Sequence, residues 1–409
     1  MSQIATTKWS KIRSLALARA FSFLGSELTI FTLVFREKDQ GALAVALLFI
    51  VGTLPMILFS PIAGTIADRV STKVSVPVFS AISGLAILAQ TLQPDTWAVF
   101  ALLFIANTAA SVVGPSWTKL IPTLAIPEDV GKAMGVAQTY FSVAGLIGPS
   151  IAGFLVKQTG FFWTFVFDGA ATLFIAVVPF LLNLNHKPEA LEKGEKTDMA
   201  QGFKFLMANG LLRSLVIMIF ALVLAISIVN VGDVFLMTDI LGADSFIYGL
   251  IGSAFAMGAL LFSALSGTLN LSRKLQLQIV GIGSASLATC GLLVGVAPNY
   301  WVIMVLWFIA GASNASLNTY GVAMMINVIP HEVQGRVFAA FQAITSVASI
   351  GSMSMAGVLI AAFGVREIFV ISGCLALLAV ILLFPQVYRE QSKLIKAGEA
   401  KTSQPAPAS

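Results

Sequence analysis

The stretch Gly64-Thr65-Ile66-Ala67-Asp68-Arg69-Val70-Ser71-Thr72-Lys73 joins two long apolar runs and carries an acid and two bases where its surroundings carry almost no charge. It is echoed 203 residues later by Gly267-Thr268-Leu269-Asn270-Leu271-Ser272-Arg273-Lys274, which keeps the glycine, the threonine and the bases but has Leu271 in place of the acid. Other segments repeat 203 or 204 residues apart. Phe104-Ile105-Ala106 returns as Phe308-Ile309-Ala310, and Ile126-Pro127-Glu128-Asp129-Val130 as Ile329-Pro330-His331-Glu332-Val333. Solenoid units repeat every ~20–50 residues, so a repeat this long is two copies of a half-molecule in the same order.

Hydrophobic residues make up 57% of the chain and charged residues 11%, against roughly 45–50% and 25% in soluble domains. Twelve apolar runs, each near the roughly 20 residues that cross a bilayer, fall at 15–35, 42–66, 74–93, 97–117, 133–156, 160–183, 213–238, 246–270, 275–297, 300–324, 337–362 and 368–385. A barrel would need short segments of strict alternation, which this chain lacks. The expected fold is an all-α membrane protein of twelve transmembrane helices in two pseudo-symmetric six-helix bundles. The bundles are expected at 1–184 and 213–388. A cytoplasmic linker at 185–212 contains an amphipathic helix around Phe203, Lys204, Leu206 and Met207, and a disordered tail covers 389–409.

Nineteen of the 24 Lys and Arg residues fall on one side of this arrangement. That bias predicts cytoplasmic termini, in the inner (plasma) membrane of a bacterial cell, with the first span acting as an uncleaved anchor. The basic balance reflects this asymmetry and not nucleic-acid binding. Cys290 and Cys374 lie in apolar spans and His186 and His331 stand alone in loops, so neither a disulfide framework nor a metal site is expected, and no cofactor is. The chain has neither a nucleotide-binding glycine loop nor a nucleophile–base constellation, which argues against an enzyme.

The 64–73 stretch resembles the signature loop of the major facilitator superfamily, and Gly145-Leu146-Ile147-Gly148-Pro149-Ser150-Ile151-Ala152-Gly153 is similar to that superfamily's antiporter signature, with Ala152 replacing one glycine. Ile329–Phe338 and the segment beginning at Gly202 resemble the drug:proton antiporter branch that includes macrolide-efflux and enterobactin-export proteins. The resemblance implies that Gly64, Asp68, Arg69 and Lys73 form a conformational lock, one-sided because the second copy lacks the acid. Gly145, Gly148, Pro149 and Gly153 would form an antiporter-type hinge. Small residues crowding spans 5, 8 and 11 permit close helix approach and mark candidate seams between halves. Many antiporters of the superfamily carry an arginine in span 4; here Asn107, Thr108 and Ser111 supply its polar character.

Ionisable residues at membrane depth are costly and are read as functional by default. Glu27 lies in span 1 with Arg19 two turns earlier, and Asp233 in span 7 near Asn230. In the superfamily spans 1, 4, 7 and 10 line the central cavity, so the resemblance assigns Glu27, Asp233 and Arg19 to proton or substrate coupling. It assigns Asn107, Thr108, Ser111, Asn230, Asn314 and Asn318 to the cavity wall. Asp168, in span 6, reads as structural or coupling. The implied function is proton-coupled export of a small amphipathic or hydrophobic compound (drug, macrolide or siderophore type) by a monomer surrounded by membrane lipid. A lysophospholipid flippase or facilitator on the same fold, and a non-transporting receptor or scaffold, are the alternatives.

Overall fold

The computed structural model describes residues 6–182, 184, 199–269, 271–330 and 333–402. The expected positions His186 and His331 lie outside the described residues. Helices dominate, and no strand occurs among the described residues. Among the described residues twelve helical segments are long and apolar enough to cross a membrane, as the sequence predicts.

The chain divides into two units, Met1–Glu195 with Met237–Ser253, and Lys196–Leu236 with Ala254–Ser409. The first holds α1 (Trp9–Glu37), α2 (Ala42–Arg69), α3 (Thr72–Ala89), α4 (Thr96–Thr118), α5 (Val130–Thr159) and α6 (Phe162–Leu181). In it α1 packs on α5 and α6, α3 on α4 and α6, and α2 on α4. Most of the second unit comprises α7 (Met199–Ala208), α8 (Gly210–Ile226), α9 (Val229–Phe235), α11 (Arg273–Gly295), α12 (Tyr300–Ser316), α13 (Val322–Ile326), α14 (Gln334–Phe363) and α15 (Val365–Thr402). There α11 packs on α12 and α15, and α8 on α14 and α15. The pairings α1·α5, α1·α6, α3·α4 and α3·α6 thus recur as α8·α14, α8·α15, α11·α12 and α11·α15, which is the sequence repeat expressed as packing. α10 (Ser245–Thr268) contributes its first nine residues to the first unit and the remainder to the second.

The helix ends follow from local chemistry. Asp95, Asn209, Ser272 and Asn299 each accept a hydrogen bond from a backbone N–H in the first turn of α4, α8, α11 and α12, satisfying donors that a helix start leaves open. α5 and α14 end on Gly160 and Gly364, at φ +71° and +94°. Glycine adopts that left-handed region without steric cost, and the two positions are equivalent in the repeat.

Three boundaries differ from the sequence expectation. The 64–73 stretch is not a loop: α2 continues through Arg69 and α3 starts at Thr72, leaving only Val70 and Ser71 between them. Backbone bonds Val70 N–H to Ile66 O and Val74 N–H to Ser71 O close the two ends. The tail is not disordered from 389, because α15 continues past Pro385 to Thr402; residues 403–409 lie outside the described residues. The seventh span is broken, with α8 and α9 followed by a π-helical turn at Leu236–Ile240. A second π turn interrupts the tenth span at Leu317–Gly321. Such wide turns are uncommon and cluster at functional sites.

The segment expected to form an amphipathic helix falls on α7. Leu206 is buried, while Phe203 and Lys204 are exposed, and α7 lies on α14 and α8. Gly202 permits this, since a Cβ there would lie 2.6 Å from the Arg336 carbonyl carbon.

Met237–Ser253 joins the first unit through specific contacts. Lys38 Nζ reaches Thr238 Oγ1 at 2.9 Å and Asp239 Oδ1 at 2.6 Å. Lys157 Nζ donates to Asp244 Oδ2 at 2.7 Å, and the Tyr248 ring lies 5.4 Å from both Phe31 and Phe35. The Lys157 ammonium holds the Asp244 carboxyl below the usual carboxylate range. A depressed carboxyl stabilises the fold above its unfolded pKa of ~3.9, and that contribution is lost as pH falls through the folded value. Both partners are exposed, so Asp244→Asn is expected to cost only about 0.2–1 kcal/mol at neutral pH. The difference from wild type in thermal midpoint should vanish at low pH and shrink in high salt; a difference that persists in acid would rule out the ion pair as its source.

Candidate functional site

Polar side chains inside the first unit converge on a cavity of about 300 Å³ between α1, α2, α3, α4 and α6. Glu27 enters it from α1, Asn107 from α4 and Asp168 from α6. Asp168 is fully buried in the protein, at 1% exposure. Its approach to α1 depends on Gly25, where an added Cβ would lie 2.7 Å from the Asp168 Cα. Thr172 Oγ1 donates to Asp168 Oδ1 at 3.2 Å, and Ser22 lies 3.4 Å from the same threonine oxygen. Lower along the α1–α6 contact Thr32 donates to Thr164 at 2.8 Å. Glu27 lies against α5 at Gly148, whose Cβ, if present, would be 2.9 Å from the Glu27 Cβ.

Arg19 does not share this cavity wall. It faces α4, with Nη2 4.0 Å from the Cβ position at Gly114. Nor do Thr108 and Ser111 line it: their hydroxyls donate to Phe104 O and Thr108 O of their own helix. Serines and threonines commonly bond back within a helix in this way, and spacing alone cannot distinguish that from a lining role. Ser83 and Thr53 do line the cavity and escape a reading of the sequence. They sit on α3 and α2, which the superfamily pattern leaves outside the centre, and only burial reveals them.

The second unit has its own cavity of about 380 Å³, lined by amides and aromatic rings among aliphatic side chains. Asn230, Asn314 and Asn318 all line it, together with Gln342, Phe255 and Trp307. Asn318 Nδ2 donates to both the backbone oxygen and Oδ1 of Asn314 at 3.0 Å, across the start of the π turn. Asp233 is not among the lining residues. It accepts the Trp307 indole N–H at 3.3 Å, and Trp307 meets Phe255 edge-on with ring centroids 6.2 Å apart. The wall of this cavity carries no carboxylate among the described residues. The two acids that the sequence groups together therefore stand in different settings: Glu27 in a cavity with Asp168, and Asp233 behind a tryptophan.

The glycines of α5 divide between two faces. Gly145 and Gly148 meet Phe23 and Glu27 of α1. On the other face Gly153 meets the backbone of Ser245, whose Oγ donates to Gly153 O at 3.0 Å. Pro149 packs against Gly249 and Gly252 of α10, and Ser150 bonds Ser253 at 2.6 Å. α5 remains one helix through Pro149. In the expected lock, Gly64 faces open space and Arg69 is exposed at the end of α2. Lys73 lies in the first turn of α3 and Asp68 in the last turn of α2; the Asp68 side chain lies outside what is described.

Residues 2–407 match the family described as transmembrane secretion effector. The chain is similar to the uncharacterized MFS-type transporter YfiS of Bacillus subtilis, with 24% identity covering 90% of this chain and 91% of that one. It is also similar to macrolide efflux protein A of Streptococcus pyogenes, with 23% identity covering 92% and 96%. Among solved structures, a POT family transporter in complex with 5-aminolevulinic acid superposes with a TM-score of 0.74 at 12% identity, covering 93% of this chain and 96% of that one.

Proposed function

Because this chain belongs to the transmembrane secretion effector family of MFS-type transporters, we propose that it is a secondary active exporter that moves amphipathic or hydrophobic small molecules by alternating access, in exchange for protons. The observation that carries the substrate class is the second unit's cavity, where a few amides punctuate a wall of aromatic and aliphatic side chains. Sites of this composition bind ligands mostly through apolar contact and orient them with a few polar groups. The efflux function named for a relative points the same way. Glu27 is the coupling acid in this reading, and Asp233 fixes the Trp307 ring against the substrate. In this reading both termini lie on the cytoplasmic side of a bacterial inner membrane, an orientation that the bias of Lys and Arg toward one side supports.

The test is a substrate screen in proteoliposomes with an imposed pH gradient. Uptake of macrolide-like or cationic amphiphilic compounds that collapses with the gradient supports proton-driven export. Gradient-independent movement of lysophospholipid supports a flippase instead, and no movement of any solute alongside a stable partner complex supports a receptor. The double variant Asn314→Leu/Asn318→Leu should raise KM for the transported compound about tenfold, in line with the loss of one or two hydrogen bonds worth roughly 0.5–1.5 kcal/mol each. An unchanged KM would remove these amides from the substrate site.

A further inference from the structure

We propose that a groove on the exposed flank of the first unit, between α1, α5 and α6, retains one acyl chain of a membrane phospholipid, with the Trp163 indole at its headgroup end. The inference needs only that these helices span a bilayer, and it is independent of the exporter reading.

Shape is the first argument. The groove has a volume of about 780 Å³, within the roughly 300–1,000 Å³ of small-molecule clefts. Ala170 and Ala171 contribute only methyl groups to it, while Trp163, Phe167 and Phe174 of the same helix and Phe21 of α1 raise rings around them. Phe21, Trp163 and Phe174 are each about half exposed. The contacts Ser22–Thr172 and Thr32–Thr164 set α1 against α6, so Phe21 stands level with Phe174 at one end and Trp163 marks the other. From Trp163 to Phe174 the helix rises ~16 Å. One leaflet contributes ~15 Å, half of the hydrocarbon core. The Trp163 end is the polar one: α5 stops at Thr159, and Lys157, two residues earlier, forms an exposed ion pair with Asp244. The groove therefore runs from the membrane surface toward the midplane, along the path of a lipid chain.

The second argument is what can hold a chain there. Lipid tails are as apolar as the groove, so transfer out of water supplies no drive. Retention has to come from packing and from a polar contact at the surface end. Aromatic rings seated on a helix form a wall that is ordered before the chain arrives, which lowers the cost of binding. Of the polar groups on the wall, the Thr159 hydroxyl is spent on Leu155 O. The Trp163 ring meets Phe162 edge-on with centroids 5.4 Å apart, and its indole N–H has no acceptor among the described residues. Tryptophan at a membrane surface keeps its ring in the apolar layer and its N–H toward polar groups. The ester carbonyls of a diacyl phospholipid lie at that depth and accept such a bond. No charged side chain lines the groove, so the chain and its ester are recognised and the headgroup charge is not.

The test is native mass spectrometry of the purified full-length protein in detergent. It is titrated with dioleoyl phosphatidylethanolamine and with the diether lipid of the same headgroup and chains, which lacks the ester carbonyls. Wild type should bind one phospholipid saturably, the diester at least threefold more tightly than the diether. Trp163→Phe keeps a ring and removes the N–H, and should erase that preference. Ala170→Trp fills the groove and should weaken both lipids at least tenfold. Trp97→Phe, at an exposed tryptophan of α4 outside the groove, should change neither. Should Ala170→Trp fail to fold, the comparison of diester and diether in Trp163→Phe decides alone. Binding by Ala170→Trp equal to wild type, or an ester preference that survives in Trp163→Phe, would overturn the site. A macrolide or cationic amphiphile that displaces the lipid one for one would make the groove an entrance for transported solute and would also overturn it. Lipid binding is read without any flux measurement, so a failed transport assay leaves this result standing.

Discussion

Gly311→Ala is expected to lower the thermal midpoint of the detergent-solubilised protein by roughly 5 °C, through overpacking that costs about 2 kcal/mol. A Cβ at Gly311 would strike the Phe255 backbone, lying 2.8 Å from its carbonyl carbon, and a Cβ at Gly258 would strike that of Phe308 at 2.9 Å. The two glycines therefore hold α10 and α12 in backbone contact reciprocally. In a bilayer, close van der Waals approach replaces the hydrophobic drive that would hold such helices together in water. A flexible side chain can turn aside, but a helix carbonyl moves only with its helix, so relief means parting the pair. Gly267→Ala, where the added atom meets nothing within 4 Å, should leave the midpoint unchanged or slightly higher. Equal midpoints for Gly311→Ala and wild type would show that the α10–α12 crossing is not as tight as described.

Gly148→Leu should reduce transport at least tenfold while membrane abundance stays near wild type. The first atom of the new side chain would sit 2.9 Å from the Glu27 Cβ, with Leu24 3.5 Å away on the same face of α1. Accommodating leucine displaces Glu27 from the cavity it lines or separates α5 from α1. Either change acts on the first unit's polar cavity more than on insertion, which the apolar length of α5 governs. Gly135→Leu, on the same helix but facing open space, is the matched control. Transport rate normalised to abundance is the measurement. A wild-type rate for Gly148→Leu would remove both the tight α1–α5 contact and Glu27 from the transport cycle.

Much of the fold is legible in the order of the residues alone. The 203-residue repeat, the twelve apolar runs and the scarcity of charge define a two-copy helical membrane protein, because a bilayer admits only elements that satisfy their own backbone. The amphipathic character of 199–208 and the capping residues Asp95, Asn209, Ser272 and Asn299 are also local signals. The 64–73 stretch is recognisable as a motif, yet its charges suggest a loop. They resemble those of a connection, while the backbone continues as helix until Val70 leaves it.

The sites are legible only in part, for a physical reason. Sequence shows that Glu27, Asp168 and Asp233 lie at membrane depth, since hydropathy measures depth. It does not show what faces what around a helix axis, because helices hydrophobic on nearly every side give little periodicity to read. That orientation is a tertiary matter. The bare backbone of Gly25 brings Asp168 against α1 and places it in one cavity with Glu27. The Trp307 indole binds Asp233, which is absent from the residues lining the second unit's cavity. Thr108 and Ser111 turn their hydroxyls to their own backbone, while Asn314 and Asn318 stay on the cavity wall. Composition and repeat determined that this chain is a two-part membrane protein; helix rotation, set by which glycines admit which neighbours, decided which acids share a cavity.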